Sequence, residues 1–132
     1  MKQAQSVGSA VSRASDLSVE QRRDARFVRR LGVELAGAQL HTTNLAPGGM
    51  QVEIPAMRYA GLLALVGRRT PEWRILLPGQ PLPLIASGDF RYADLVDDDY
   101  LAGIAFVAWH AYGEERWRDY VSSLEPIKTH AG

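Results

Sequence analysis

The chain has 132 residues, enough for one domain of ordinary size, and its 15 Lys and Arg balance 15 Asp and Glu. Apolar residues make up 46% and charged ones 23%, ordinary globular values, and zero net charge argues against a protein that coats DNA or membranes by bulk charge. The lack of cysteine excludes disulfide scaffolds, thiolate metal sites and cysteine nucleophiles, and it fits a reducing cytoplasm.

Lys2 is followed by Gln3, Ser6, Gly8 and Ser9 with no apolar stretch behind it, so no targeting segment is read here. The apolar stretches at 61–67 and 101–109 are too short to span a bilayer, and a soluble cytoplasmic protein is expected. Residues 1–17 are rich in Ser, Ala and Gln and offer little to bury; a flexible N-terminal arm is expected over residues 1–19. Next comes an arginine cluster, Arg22, Arg23, Arg26, Arg29 and Arg30, opposed only by Asp24.

Short strands punctuated by Gly and Pro follow. Leu31 to Ala36 and Gln39 to Thr43 read as strands joined tightly at Gly37-Ala38. Asn44-Leu45-Ala46-Pro47-Gly48-Gly49 is turn chemistry, because Asn and Gly tolerate positive φ and Pro presets its own. Met50, Val52 and Ile54 then alternate with Gln51 and Glu53, the pattern of a half-buried strand. Leu62 to Val66, Trp73 to Leu77, Leu82 to Ala86 and Leu101 to Val107 are further strand candidates, with Pro81 and Pro83 confining the third to an edge or a bulge. Asp97, Asp98 and Asp99 read as a solvated turn. Near the end, Trp117, Tyr120, Val121 and Leu124 fall on one helical stripe, Glu114 and Glu115 suit its first turn, and Pro126 stops it. Many short strands and one terminal helix predict a small antiparallel barrel or sandwich.

Chemistry concentrates in two places. Guanidinium groups fork onto phosphate and stack on flat rings, so Arg22 and Arg26, four apart, are suited to converge on one anion. The Asn44–Gly49 turn offers backbone that a ligand can approach closely and an amide able to read a base edge. Taken alone, each has a plainer reading, a solvated basic loop and a hairpin connection. His41, His110 and His130 lack metal-ligand spacing, and Trp73, Trp109 and Trp117 read as core. No acid–base pair or nucleophilic triad stands out.

Together, Arg22-Arg23-Asp24-Ala25-Arg26 as RxxxR, then Asn44-Leu45-Ala46-Pro47-Gly48-Gly49 against (D/N)xSxxG, resemble the PilZ domain, a bacterial receptor module for cyclic di-GMP. Gly103-Ile104-Ala105-Phe106 is similar to that family's late GIxF strand. The resemblance spans residues 20–125, leaving 126–132 as a tail. It implies a mainly β fold: a six-stranded antiparallel, split β-barrel with a C-terminal α-helix. It also implies a non-enzymatic receptor without cofactor or metal, binding cyclic di-GMP through Arg22, Arg23, Arg26, Asn44, Ala46, Gly48 and Gly49 and relaying the signal to a protein partner. Two departures stand out. Ala46 replaces the family's Ser, and the interval from Arg26 to Asn44 is short, which suggests trimmed first strands. Ala46 also leaves open a degenerate adaptor that binds protein and no nucleotide. A nucleic-acid-binding barrel is disfavoured by the zero net charge and by an acidic second half.

Overall fold

The computed structural model describes residues 26–124. Its elements are β1 (Phe27–Val28), β2 (Gly32–Leu35), β3 (Ala38–Ala46), β4 (Gly49–Pro55), α1 (Ala56–Val66), β5 (Glu72–Leu76), β6 (Leu84–Val96), β7 (Asp99–Trp109) and α2 (Gly113–Ser122). All strand pairings are antiparallel. They run β3-β2-β5-β6-β7-β4, and a β3–β4 pairing closes the ring into the six-stranded barrel that the resemblance implies. The short β1 is a seventh strand, paired with β3 beyond the point where β2 leaves it.

Alternation fills the barrel. Val33, Leu35, Leu40, Leu45, Met50, Val52, Ile54, Trp73, Ile75, Leu84, Ala102 and Ile104 are buried, while their strand neighbours face outward. The β2–β3 connection is Ala36-Gly37, one residue earlier than the sequence suggests. Both residues take positive φ, 50° and 84°, the geometry of a hairpin turn whose twist matches its strands. The β3–β4 connection is Pro47-Gly48, and neither residue needs a positive φ.

Two strand expectations require correction. Leu62 to Val66 is not a strand but the end of α1, an eleven-residue helix. The segment Ala56–Val66 is rich in Ala, Leu, Met and Arg, good helix formers that outweigh Gly61, with Val66 its one β-branched residue. Tyr59, Leu62 and Val66 fall at helical spacing and pack on the core, Tyr59 stacking on Tyr100 with centroids 4.1 Å apart. The Leu82 segment is likewise not an edge strand. Both prolines precede Leu84, and from there β6 runs for 13 residues between β5 and β7. Register shifts at Ser87/Gly88 and Phe90/Tyr92 bend it around the barrel. Gly88 sits at the first, where a Cβ would come within 2.7 Å of Ile104 Cγ2, and its carbonyl accepts a bond from Trp73 Nε1 at 3.0 Å.

The predicted terminal helix is α2, with Glu114 and Glu115 in its first turn and Trp117 and Val121 buried; Leu124 follows it and packs on the core. It covers the mouth where β3 turns into β4, and its Trp117 meets Phe106 and Trp109 with centroids 5.1 and 5.9 Å away. As expected, Trp73 and Trp117 are fully buried, and Trp109 is partly buried against the core. At the other end of β4, α1 packs against β4 and β7.

Candidate ligand-binding face

The site begins with a gap in the β2 side of β3. Between β1 and β2 the regular ladder is interrupted, although Arg29 N still donates to Thr43 O at 3.3 Å and Thr42 N to Leu31 O at 2.9 Å, and the Thr42 side chain, with no exposed surface, bridges the interruption. Its hydroxyl accepts from Leu31 N at 2.8 Å and donates to Arg29 O at 2.7 Å. Past this bridge the chain rejoins β3, pairing Val28 with Asn44 and Phe27 with Leu45. Arg26 comes one residue before this pairing begins and is exposed. Arg26, the one described residue of the RxxxR segment, thus leads directly into the strand that pairs with the Asn44-Leu45 end of β3. Arg22 and Arg23 lie outside the described residues.

Asn44 faces outward because Thr43 is an extra residue in the ladder, a shift recorded between Thr42 and Asn44. The Asn44 amide donates to Gln51 Oε1 at 3.2 Å, and the Thr43 hydroxyl donates to the same oxygen at 2.7 Å. Gln51 Nε2 donates onward to the Tyr92 hydroxyl at 2.9 Å. The Tyr92 ring lies over Gly103, where a Cβ would strike it. This places an amide row ending in a phenol beside the Arg26 strand, a surface with donors, acceptors and a flat ring. Arg30, exposed, pairs with the half-buried Glu53 at 3.5 Å, a contact of little energetic weight.

The turn itself is held from behind. The Ala46 carbonyl accepts from Trp117 Nε1 at 3.0 Å, and the Gly48 carbonyl accepts from Phe106 N at 3.0 Å. The two turn glycines differ. A Cβ on Gly49 would collide with the backbone carbonyl of Ile104, whereas one on Gly48 would meet nothing within 4 Å. Gly49 is therefore explained by strand packing alone, and Gly48 leaves the outer backbone open to an approaching group.

Neither Gln51 nor Tyr92 is among the site residues that the sequence suggests. Gln51 carried only the outward half of an alternation, and Tyr92 carried no local signal at all. His41 is exposed, and His110 lies 3.4 Å from Glu72. Among the described residues no group of three or more His, Asp or Glu side chains is placed to hold a metal ion, and no helix is long and apolar enough to cross a membrane. A cleft of about 500 Å³ lined by Leu35, Val66, Arg69 and Glu72 opens by the β2–β3 connection, at the far end of β3 from the turn.

A closed six-stranded antiparallel barrel with this arrangement of strands and two helices is a PilZ-like fold. Among solved structures the chain is similar to the Bacillus subtilis inhibitor of motility MotI/DgrA, with a TM-score of 0.59 and 14% sequence identity. The likeness covers 77% of this chain and 50% of that one, so this chain spans about half of that protein's length, and what the two share is fold. No family model matches the sequence, and neither does any curated protein.

Proposed function

We propose that this chain is a non-enzymatic PilZ-type receptor that binds cyclic di-GMP on the outer wall of its barrel and relays the event to a protein partner. The observation that carries the reading is the β1–β3 pairing. Arg26, the last residue of the RxxxR segment, immediately precedes the strand that pairs with Asn44 and Leu45 of the NxAxxG motif, which supports bringing the two motifs to one ligand. A dianionic ligand with two purines suits forked, stacking cations beside an amide row and a tyrosine. Arg22, Arg23 and Arg26 would take phosphates and guanine faces, and Asn44, Ala46, Gly48 and Gly49, on the β3–β4 hairpin and its turn, would lie beneath them. Ala46 lacks the hydroxyl that the family motif supplies, which weakens binding by about 0.5–1.5 kcal/mol, roughly two- to tenfold.

Calorimetric titration with cyclic di-GMP tests the proposal on wild type, Arg26→Ala and Ala46→Ser. Loss of a charged hydrogen-bonding partner predicts at least a tenfold weakening for Arg26→Ala, about 1.5–3 kcal/mol. Ala46→Ser should bind roughly two- to tenfold more tightly. A wild-type protein giving no heat at high ligand concentration overturns the reading. A second reading, a PilZ-like adaptor that binds protein without nucleotide, is favoured by Ala46 and by the Asn44 amide being already bonded to Gln51. Saturating nucleotide that moves no amide resonance, together with capture of a protein partner, would select it.

A further inference from the structure

The helix α1 has two apolar faces, and the barrel uses one. Tyr59, Leu62 and Val66 face the core. Opposite them, Met57, Ala60, Gly61, Ala64 and Leu65 fall at i, i+3, i+4, i+7 and i+8, all exposed, with Met57 at 92% and Leu65 at 71%. Arg58 is the one charged residue of the helix. A surface helix that is apolar all round marks a surface that something else covers. Exposed Leu95 and Val96 end β6 beside the β6–β7 connection, whose Asp98 O accepts from Ala56 N at 2.9 Å at the helix start.

The two ends of this face carry opposite charge. Its beginning adjoins the Asp97-Asp98-Asp99 turn, whose first two residues are exposed, and its end runs into exposed Arg68 and Arg69. We infer that α1 is a self-association surface, covered by α1 of a second copy of this chain packed antiparallel to it about a two-fold axis near Gly61. Antiparallel packing brings Met57 of one copy beside Leu65 of the other at both ends of the contact. The small Ala60, Gly61 and Ala64 lie at the crossing, where they let the helix axes approach to about 8 Å. The same symmetry sets Arg68 and Arg69 of each copy against the aspartate turn of the other, twice over, and it opposes the two helix dipoles favourably. A parallel arrangement would set like charges together. An anionic lipid surface would be repelled by the aspartate turn, and a foreign protein has no need of the helix's self-complementary pattern.

Light scattering coupled to size exclusion, over a dilution series of the full chain, reads the association directly. The expected result is a mass that doubles with concentration in wild type and stays single in Leu65→Glu, whose site is exposed and whose melting temperature should match wild type. Reversing one end at a time gives a second test. A chain with Arg68→Glu and Arg69→Glu, and another with Asp98→Lys and Asp99→Lys, should each be single alone and should pair when mixed. Charges then oppose at both ends of the mixed dimer. Wild type that stays single at the highest attainable concentration, a Leu65→Glu chain that still doubles, or charge variants that fail to pair on mixing each overturn the inference. Binding of wild type to anionic vesicles or to a foreign protein through α1 without self-association does so too. None of these readouts depends on nucleotide.

Discussion

Thr42 offers the sharpest test of how the arginine strand is held against the turn. Replacing it with Val keeps the side-chain shape and removes the hydroxyl that joins Leu31 N and Arg29 O at 2.8 and 2.7 Å. The Leu31 amide is buried, so its lost partner costs about 1–3 kcal/mol; the Arg29 carbonyl is only part-buried and turns to water at a cost of about 1 kcal/mol. Together they predict a loss of roughly 2–4 kcal/mol, or roughly 10–20 °C in melting temperature for a domain of this size. Urea unfolding monitored by tryptophan fluorescence measures the free energy, since Trp73 and Trp117 are fully buried. Hydrogen exchange at the Leu31 amide locates the effect: it should accelerate more than amides in β5 and β6 do. Thr42→Ser, which keeps the hydroxyl and gives up a methyl, should recover most of the loss. A Thr42→Val protein within about 0.5 kcal/mol of wild type would falsify the claim that this hydroxyl bridges the strand gap.

Three further outcomes follow from contacts around the turn. Gly49→Ala drives a methyl into the Ile104 carbonyl and should lose about 1–3 kcal/mol in a thermal melt, whereas Gly48→Ala, opening into free space, should melt within about 0.5 kcal/mol of wild type. An unaltered melt for Gly49→Ala would show that β4 and β7 separate there freely. Trp117→Phe removes the indole donor to the Ala46 carbonyl and should lose at least about 1 kcal/mol, with chemical shifts changing at Ala46 and Pro47 across the mouth of the barrel. If those resonances stay in place, the helix does not hold the turn.

The elements legible in the sequence are those with a single buried face. Met50, Val52 and Ile54 declare β4 because Gln51 and Glu53 between them are polar, and Trp117 and Val121 declare α2 because charged residues separate them. Helix α1 escaped detection for the opposite reason. With apolar residues on both sides of it, neither a two-residue nor a helical period emerges, and a short apolar run is read as a strand. The prolines near Leu82 suggested an edge, but the ladder of β6 begins only after them, and its two bulges hide the alternation that follows. At the site, Arg26 and Asn44 were visible through motif spacing. Gln51 and Tyr92 were not, since their bond joins residues 41 apart whose meeting depends on barrel closure. Gly49 shows a residue whose motif assignment and packing role coincide, so that sequence alone cannot separate them.

The bonds behind the turn also bear on how any ligand there would be selected. With the carbonyls of Ala46 and Gly48 tied to Trp117 and Phe106, the backbone of the turn is already set before anything arrives. A binder would then meet a fixed template on one side and long arginine side chains on the other, each costing about 0.5–1.5 kcal/mol to immobilise. Substitutions in the turn would accordingly act through contact chemistry, appearing mainly in the enthalpy and the dissociation rate. Substitutions among the arginines would act through ordering and charge, appearing in the entropy, the association rate and its dependence on salt. A rigid wall facing adjustable cations would be an arrangement in which affinity could be retuned from the arginine side without disturbing the barrel.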